Sequence, residues 1–127
     1  MKMSKKIIVF ADDDEFVREF VSKCIEKYLP EVNLEICKDG SSLEKRLQQD
    51  MKEVDLVLTD NKMPCIDGSK IIKKYARNFE KIPFILYYGG EYEIGEQAVK
   101  DGAFAYASKG DNSSKMIELV KKALKIE

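Results

Sequence analysis

Short apolar runs alternate along the chain with segments of helical periodicity, and this alternation constrains the fold more than any other feature. Each run has the length of a strand, whereas the segments between them carry apolar residues at helical spacing. The five runs are Lys6–Ala11, Asn33–Cys37, Asp55–Thr59, Pro83–Tyr88 and Phe104–Ser108. Five strands alternating with five helices predict an α/β fold, a doubly wound five-stranded parallel sheet with helices on both faces.

The first helical segment has the clearest pattern. Its apolar residues form one continuous stripe, as in an amphipathic helix packed on a core, and Pro30 ends it. The stripe comprises Phe16, Val17, Phe20, Val21, Cys24, Ile25, Tyr28 and Leu29.

Length and composition limit the classes of function. A chain of 127 residues is long enough for one domain and too short for two, so we expect a single domain over residues 1–127. The formal net charge of -1 argues against direct nucleic-acid binding, which usually requires a basic surface. No apolar run approaches the roughly 20 residues of a membrane span. We therefore expect neither nucleic acid nor a membrane as a partner.

The sequence contains no histidine, which excludes histidine-based catalytic triads, histidine metal ligands and a phosphohistidine within this chain. The three cysteines have spacings that match no zinc pattern. They fit a reducing cytoplasm, in which we expect Cys24 and Cys37 to be small core residues. Any chemistry must therefore use carboxylates, lysines, hydroxyls or thiols.

Charged residues follow three of the predicted strands. Asp12 and Asp13 come after the first strand, Asp60 after the third and Lys109 after the fifth. Ligands of doubly wound sheets bind at the carboxyl ends of strands, so the three aspartates converge if the first and third strands are neighbours. Clustered carboxylates repel one another, and a divalent cation such as Mg²⁺ relieves the repulsion. An acidic trio with a lysine opposite suits the receipt of a phosphoryl group.

Part of the acidic run has a simpler explanation. Acidic residues are favoured in the first turn of a helix, and Asp14 and Glu15 directly precede the first helical segment. We therefore expect Asp14 and Glu15 to open that helix, and Asp12 and Asp13 to be the candidates for metal binding.

Three stretches resemble the receiver (CheY-like) domain of two-component response regulators: IIVFADDDEF, DLVLTDNKMPCIDG and GAFAYASKG. The resemblance extends over essentially the whole chain, and its most specific part is the Asp-x-x-Met-Pro-x-x-x-Gly stretch from Asp60 to Gly68. It implies a flavodoxin-like fold with strand order 2-1-3-4-5. It also implies a signalling domain rather than an enzyme.

The resemblance implies a role for each residue at the strand ends. Asp60 would be the phosphoacceptor, and Lys109 would pair with the phosphoryl oxygens. Asp12, Asp13, Asp60 and the backbone carbonyl of Lys62 would bind Mg²⁺. A further aromatic position, whose rotamer reports activation in the family, is occupied by Tyr106.

Two positions depart from the family pattern. Receivers usually have Ser or Thr at the end of strand four, where this chain has Tyr88. The Tyr88 side chain could point outward and leave the phosphoryl group one hydrogen bond short, lie over the site, or mark a domain that no longer switches in the usual way. The proline that usually follows the lysine is Gly110 here. We expect a trans Lys109–Gly110 bond, because a cis bond without proline costs about 2.5–4 kcal/mol, and we expect Lys109 to reach the site nevertheless.

The leading interpretation is a phosphoacceptor domain that receives its phosphoryl group from a histidine kinase or a histidine phosphotransfer protein. It would signal to a downstream protein through the face of helix four, strand five and helix five. The sequence does not decide between a monomer and a homodimer. Because the chain ends at Glu127, after the fifth helical segment, we expect no output domain. Lys62 borders the water that attacks an acyl phosphate, so we predict slower self-dephosphorylation than in Lys62→Asn.

Two alternatives come from other classes of function. Tyr88 and Gly110 motivate a degenerate receiver that binds a partner without phosphorylation. A haloacid-dehalogenase-like phosphatase also uses an aspartate nucleophile and Mg²⁺, but such enzymes usually carry a second aspartate where this chain has Lys62.

Overall fold

A computed structural model of the chain describes residues 5–126 and confirms the predicted alternation of strands and helices. The ends of the predicted domain, residues 1–4 and Glu127, lie outside that range. The strands are β1 (Lys6–Ala11), β2 (Val32–Cys37), β3 (Val54–Thr59), β4 (Phe84–Tyr88) and β5 (Ala105–Ser108). The helices are α1 (Glu15–Tyr28), α2 (Gly40–Leu47), α3 (Gly68–Tyr75), α4 (Tyr92–Lys100) and α5 (Ser113–Leu124).

The sheet is parallel and has the order β2-β1-β3-β4-β5, as the resemblance implied. The chain runs from β1 outward to β2 and then returns across β1 to β3, so the strand order reverses next to β1. Ala11 at the end of β1 lies opposite Thr59 at the end of β3. The residues that follow these two strands therefore leave the sheet side by side, in the crevice where doubly wound sheets bind ligands.

Both faces of the sheet are buried. Successive side chains of a strand point to opposite faces, so one strand contributes to the core on each side. In β1, Val9 and Ala11 belong to one core layer, and Ile8 and Phe10 belong to the other. All four side chains are fully buried. The predicted coverage of a parallel sheet by helices on both faces is thus confirmed.

The apolar stripe of α1 is wider than the face that the helix buries, which corrects the prediction of a single stripe packed on the core. Val21 and Ile25 are buried, whereas Phe16 is 83% exposed and Phe20 is 47% exposed. Each phenylalanine directly precedes a valine of the stripe, and consecutive helical residues lie about 100° apart around the axis. The phenylalanines therefore lie on the flank of α1, where they contact solvent.

Cys24 and Cys37 are buried with free thiols, as predicted, while Cys65 is exposed. Burial raises the pKa of the Cys37 thiol to about 11, so this group is protonated at neutral pH and is a poor nucleophile. Within residues 5–126, none of the helices is both long enough and apolar enough to cross a membrane.

Candidate functional site

The carboxyl ends of β1, β3 and β5 bring Asp12, Asp60 and Lys109 together. Each residue directly follows a strand, and backbone hydrogen bonds to neighbouring strands fix where it leaves the sheet. The Asp60 N–H donates to the Ala11 carbonyl at 2.8 Å, and the Lys109 N–H donates to the Tyr88 carbonyl at 2.8 Å. The hydrogen-bonded edge of the sheet therefore positions the charged side chains.

Three carboxylates share this edge, as the sequence predicted. One oxygen from each of Asp12, Asp13 and Asp60 lies within 4.8 Å of the others. Asp12 is fully buried and Asp60 is 7% exposed, whereas Asp13 is exposed to solvent. Burial, together with the nearby charge of Asp12, raises the pKa of Asp60 above its ordinary value, although Lys109 opposes the rise. The cluster therefore favours the binding of a cation.

The ammonium group of Lys109 lies between two of the carboxylates. Its Nζ is 2.7 Å from Asp12 Oδ2 and 3.1 Å from Asp60 Oδ1. Burial alone would lower the pKa of Lys109, but the hydrogen bond to Asp12 and the charges of both aspartates raise it overall. The expectation that Lys109 reaches the site is confirmed, and the Lys109–Gly110 peptide bond is trans, as predicted.

The charges and donor atoms of this cluster fit Mg²⁺. Three carboxylates and one ammonium group leave two negative charges, which a divalent cation would neutralise. Mg²⁺ prefers oxygen ligands and usually takes one or two carboxylates while keeping several waters. Asp13 suits this role because its carboxylate faces solvent beside the buried pair.

Asp14 is the N-cap of α1 and Glu15 is its first residue, as expected, and the Asp14 carboxylate accepts the Phe16 N–H at 2.9 Å. The preceding turn is closed by Asp12, whose Oδ1 accepts the Asp14 N–H at 2.9 Å. The acidic run therefore divides into two functions, with Asp12 and Asp13 in the cluster and Asp14 as the helix cap.

The sequence profile of the response regulator receiver domain matches residues 8–121. The chain belongs to this family. Receiver domains of two-component systems are signalling domains rather than enzymes.

Longer regulators contain similar receiver domains. The chain is 30% identical over 112 residues to the transcriptional regulatory protein YesN of Bacillus subtilis, covering 87% of this chain and 30% of YesN. It is 25% identical over 120 residues to the C4-dicarboxylate transport transcriptional regulatory protein DctD of Pseudomonas aeruginosa, covering 94% of this chain and 25% of DctD. The chain thus spans less than a third of either regulator.

A solved receiver domain shares the fold. The response regulator receiver domain protein from Clostridium thermocellum superposes with a TM-score of 0.84 at 20% identity, and the match covers 94% of each chain. At this identity the likeness shows the common fold alone.

Tyr88, at the usual Ser or Thr position of receiver domains, has a buried ring. The residue is 2% exposed and lies in the core layer that contains Leu86. Its hydroxyl donates to the Glu91 carbonyl at 2.6 Å and accepts the Gly95 N–H at 3.0 Å. The side chain is therefore not turned outward to solvent, and the effect of Tyr88 on the phosphoryl group and on switching stays a prediction. The hydroxyl is bound to the first turn of α4.

Tyr106, at the aromatic position of the receiver domain, is half-buried and packs on the same turn. Its ring lies against Gly95 so closely that an added Cβ at Gly95 would be 2.3 Å from a ring carbon. The ring centroids of Tyr106 and Tyr88 are 6.4 Å apart. The Tyr106 hydroxyl donates to the Glu96 carboxylate at 2.6 Å, which raises the pKa of Tyr106 to about 12.

Lys62 extends away from the cluster. Its side chain is 81% exposed, and its Nζ lies 3.9 Å from Asp67 Oδ2. The side chain of Lys62 therefore lies beside the Asp67 carboxylate rather than among the clustered carboxylates. The metal contact of the Lys62 carbonyl and the effect of Lys62 on self-dephosphorylation stay predictions.

Sequence reasoning missed Asn61, which is 4% exposed and ties Asp60 to the start of α3. Its N–H donates to Asp60 Oδ1 at 2.8 Å, and its side-chain Oδ1 accepts the Ser69 N–H at 2.9 Å. Asn61 thus supplies a cap for α3, since the side chain of the N-cap residue Asp67 makes no capping hydrogen bond. A polar residue directly after Asp60, inside the predicted crevice, was the available signal.

Gly68 allows α3 to approach the backbone that carries Asp60. An added Cβ at Gly68 would lie 1.9 Å from the Asp60 carbonyl oxygen, which also accepts the Thr59 hydroxyl at 2.8 Å. A larger residue would therefore displace the strand end that positions Asp60.

Proposed function

We propose that this receiver domain accepts a phosphoryl group on Asp60 and uses it as a signal. The observation that carries the proposal is the distance of 3.1 Å between Asp60 Oδ1 and Lys109 Nζ, within a cluster that also contains Asp12 and Asp13. Asp60 Oδ1 already accepts hydrogen bonds from Lys109 and from the Asn61 N–H. We assign Asp60 Oδ2 as the attacking oxygen.

The donor is a phosphohistidine on a histidine kinase or a histidine phosphotransfer protein, and it is a separate protein because this chain has no histidine. The Asp60 oxygen forms a bond to phosphorus while the P–N bond of the donor breaks, and the imidazole nitrogen keeps the electron pair. The Lys109 ammonium group pairs with the charge on the phosphoryl oxygens. Positioning and charge neutralisation of this kind account for most of the catalysis of phosphoryl transfer.

Mg²⁺ would be held by the carboxylates of Asp12, Asp13 and Asp60 and by the backbone carbonyl of Lys62. When bound, it neutralises the charge of the phosphoryl oxygens as they approach the carboxylates. Asp12 also holds Lys109, through the contact of 2.7 Å, so one buried carboxylate would pair with both positive charges when Mg²⁺ is bound.

The signal would leave through the face of α4, β5 and α5, toward a downstream protein. Lys109 supports this route because it joins the cluster directly to the end of β5. Tyr92 on α4 and Phe104 before β5 are 67% and 44% exposed and offer apolar surface to a partner. The free thiols support a reducing cytoplasm as the location.

Intact-mass analysis after incubation with acetyl phosphate tests the proposal. We expect one added phosphoryl group in the presence of Mg²⁺, and none without Mg²⁺ or in Asp60→Asn. An adduct that persists in Asp60→Asn would place the acceptor elsewhere. The absence of any adduct, both with acetyl phosphate and with histidine kinases as donors, would refute the proposal.

A further inference from the structure

A residue of β4 holds the first turn of α4. Glu91 is the N-cap of α4, but its side chain makes no capping hydrogen bond. The Tyr88 hydroxyl instead bridges the Glu91 carbonyl and the Gly95 N–H, at 2.6 and 3.0 Å. These are the two groups that the first i to i+4 hydrogen bond of the helix would join. A side chain inserted in this way ties the helical turn to the sheet.

The surroundings of Tyr88 keep its hydroxyl in place. Its ring lies beside Gly90, which has a φ of +146° and where an added Cβ would be 3.5 Å from two ring carbons. Tyr106 packs on Gly95, the residue that donates to the Tyr88 hydroxyl. Since Tyr88 is 2% exposed, water does not replace its partners readily, and breaking the buried bond from the Gly95 N–H leaves a buried polar group to find another partner. The Glu91 carbonyl also accepts the Ile94 N–H at 3.2 Å.

We infer that the Tyr88 hydroxyl clamps the first turn of α4 to the end of β4 and keeps it there when Asp60 carries a phosphoryl group. The inference rests on the proposed function. The hydroxyl stands at the far end of the aromatic ring and is bound to α4, so it does not turn toward Asp60 as a short serine or threonine hydroxyl would. A change at Asp60 then reaches the output face through Lys109 and the loop between β5 and α5.

The test compares the ¹⁵N-labelled full chain with Tyr88→Phe, which removes only the clamping hydroxyl. Tyr92→Phe is the matched control, because it removes an exposed hydroxyl from the same helical turn. Beryllium fluoride with Mg²⁺ is the probe, as a mimic of the phosphoryl group, and amide chemical shifts are the readout. We expect the Asn61 and Lys109 amides to shift in all three proteins.

The clamp predicts different responses in α4. The two hydrogen bonds of the Tyr88 hydroxyl, one buried and one part-buried, together change the population of a displaced turn by about tenfold. The Gly95 and Tyr106 amides should therefore shift much further in Tyr88→Phe than in the original chain or in Tyr92→Phe. Equal shifts of these amides in the original chain and in Tyr88→Phe would overturn the inference.

Urea unfolding separates the clamp from the phosphoryl site. Tyr88→Phe should unfold at a lower urea concentration than Tyr92→Phe, and equal midpoints would overturn the clamp. If the Asn61 amide does not respond to beryllium fluoride in any of the proteins, the result counts against the proposed phosphoryl site and overturns the part of the inference that concerns a phosphorylated Asp60. The unfolding midpoints then still decide whether the hydroxyl holds α4.

Discussion

Lys109 Nζ lies 2.7 Å from Asp12 Oδ2, although the two residues are 97 positions apart in the sequence. Asp12 follows β1, Lys109 follows β5, and the ends of β3 and β4 lie between them in the sheet. The Lys109 side chain therefore crosses the carboxyl edge of the sheet to reach a carboxylate that is fully buried. This ion pair connects the ends of β1 and β5, two of the three strands whose ends define the site.

Lys109→Met should destabilise the protein, because it leaves the buried Asp12 and Asp60 carboxylates without their cation. We expect the free energy of unfolding to fall by about 3 kcal/mol, the low end for breaking a buried ion pair, since the Lys109 side chain is 22% exposed. Urea unfolding at pH 7 without Mg²⁺ measures the loss.

Removal of the second charge tests whether the loss is electrostatic. Lys109→Met combined with Asp12→Asn should recover most of the stability, because the unpaired charge at Asp12 is gone. If the two substitutions are simply additive in a double-mutant cycle, the Lys109–Asp12 pair does not hold the site together.

Asp60→Asn should stabilise the protein at neutral pH. The pKa of Asp60 is raised by burial and by the charge of Asp12, so the folded protein binds this proton more tightly than the unfolded chain does. The stabilising effect of Asp60 is therefore fully present below its unfolded pKa and is lost as the pH rises through its folded pKa. Urea midpoints from pH 3.5 upward should show an advantage for Asp60→Asn that grows with pH.

Asp39→Asn is the matched control for this pH dependence, because its carboxylate is perturbed in the opposite direction. Hydrogen bonds from Ser42 to Asp39, the N-cap of α2, lower the pKa of Asp39. Its contribution to stability is present above the unfolded pKa and lost as the pH falls through the folded one. The Asp39→Asn difference should therefore shrink toward acid pH, and parallel pH profiles for the two variants would contradict both assignments.

Mg²⁺ should stabilise the protein through Asp13. A ligand at 100 times its dissociation constant stabilises the folded state by about 2.7 kcal/mol. Asp13→Asn should abolish most of this gain while changing the metal-free stability by no more than about 0.5 kcal/mol, because Asp13 is exposed. Thermal unfolding with and without Mg²⁺ measures both effects.

Asp14→Asn is the control for the metal prediction. It removes a negative charge one position along the chain, and asparagine still caps a helix well. Its response to Mg²⁺ should match that of the original chain. If Asp13→Asn and Asp14→Asn lose the stabilisation by Mg²⁺ equally, Mg²⁺ is attracted by the total negative charge of the acidic run and does not bind at a specific site on Asp13.

The convergence of Asp12, Asp60 and Lys109 could be predicted from the sequence, because parallel strands end at one edge and each residue directly follows a strand. The alternation of apolar runs and helical segments places these residues at one edge of the sheet, and the strand order that the resemblance implies makes β1 and β3 neighbours. The exposure of Phe16 and Phe20 could not be predicted, since periodicity shows that a helix has an apolar face but not how much of it the sheet covers. Both phenylalanines belong to the stripe and lie at its uncovered edge.

The orientation of the Tyr88 side chain also could not be predicted from the sequence. Its hydrogen-bond donor, Gly95, lies seven residues away, and the contact depends on where α4 begins and how it lies on β4. The N-cap signal that usually marks a helix start is weak here, because the side chain of Glu91 does not cap. The capping group belongs to the preceding strand, where local sequence patterns do not reveal it.

Gly95→Ala should destabilise the protein despite its position in a helix. Alanine is favoured over glycine in a helix interior by about 1 kcal/mol, but overpacking typically costs about 1–3 kcal/mol. The added Cβ would lie 2.3 and 2.4 Å from Tyr106 Cδ2 and Cγ, ring atoms close to the backbone that a small rotation does not remove. In a Tyr106→Ala background the same substitution should stabilise the protein, because only the helix preference remains. A double-mutant cycle by urea unfolding measures the coupling, and a value near zero would mean that Tyr106 does not pack on Gly95 in solution.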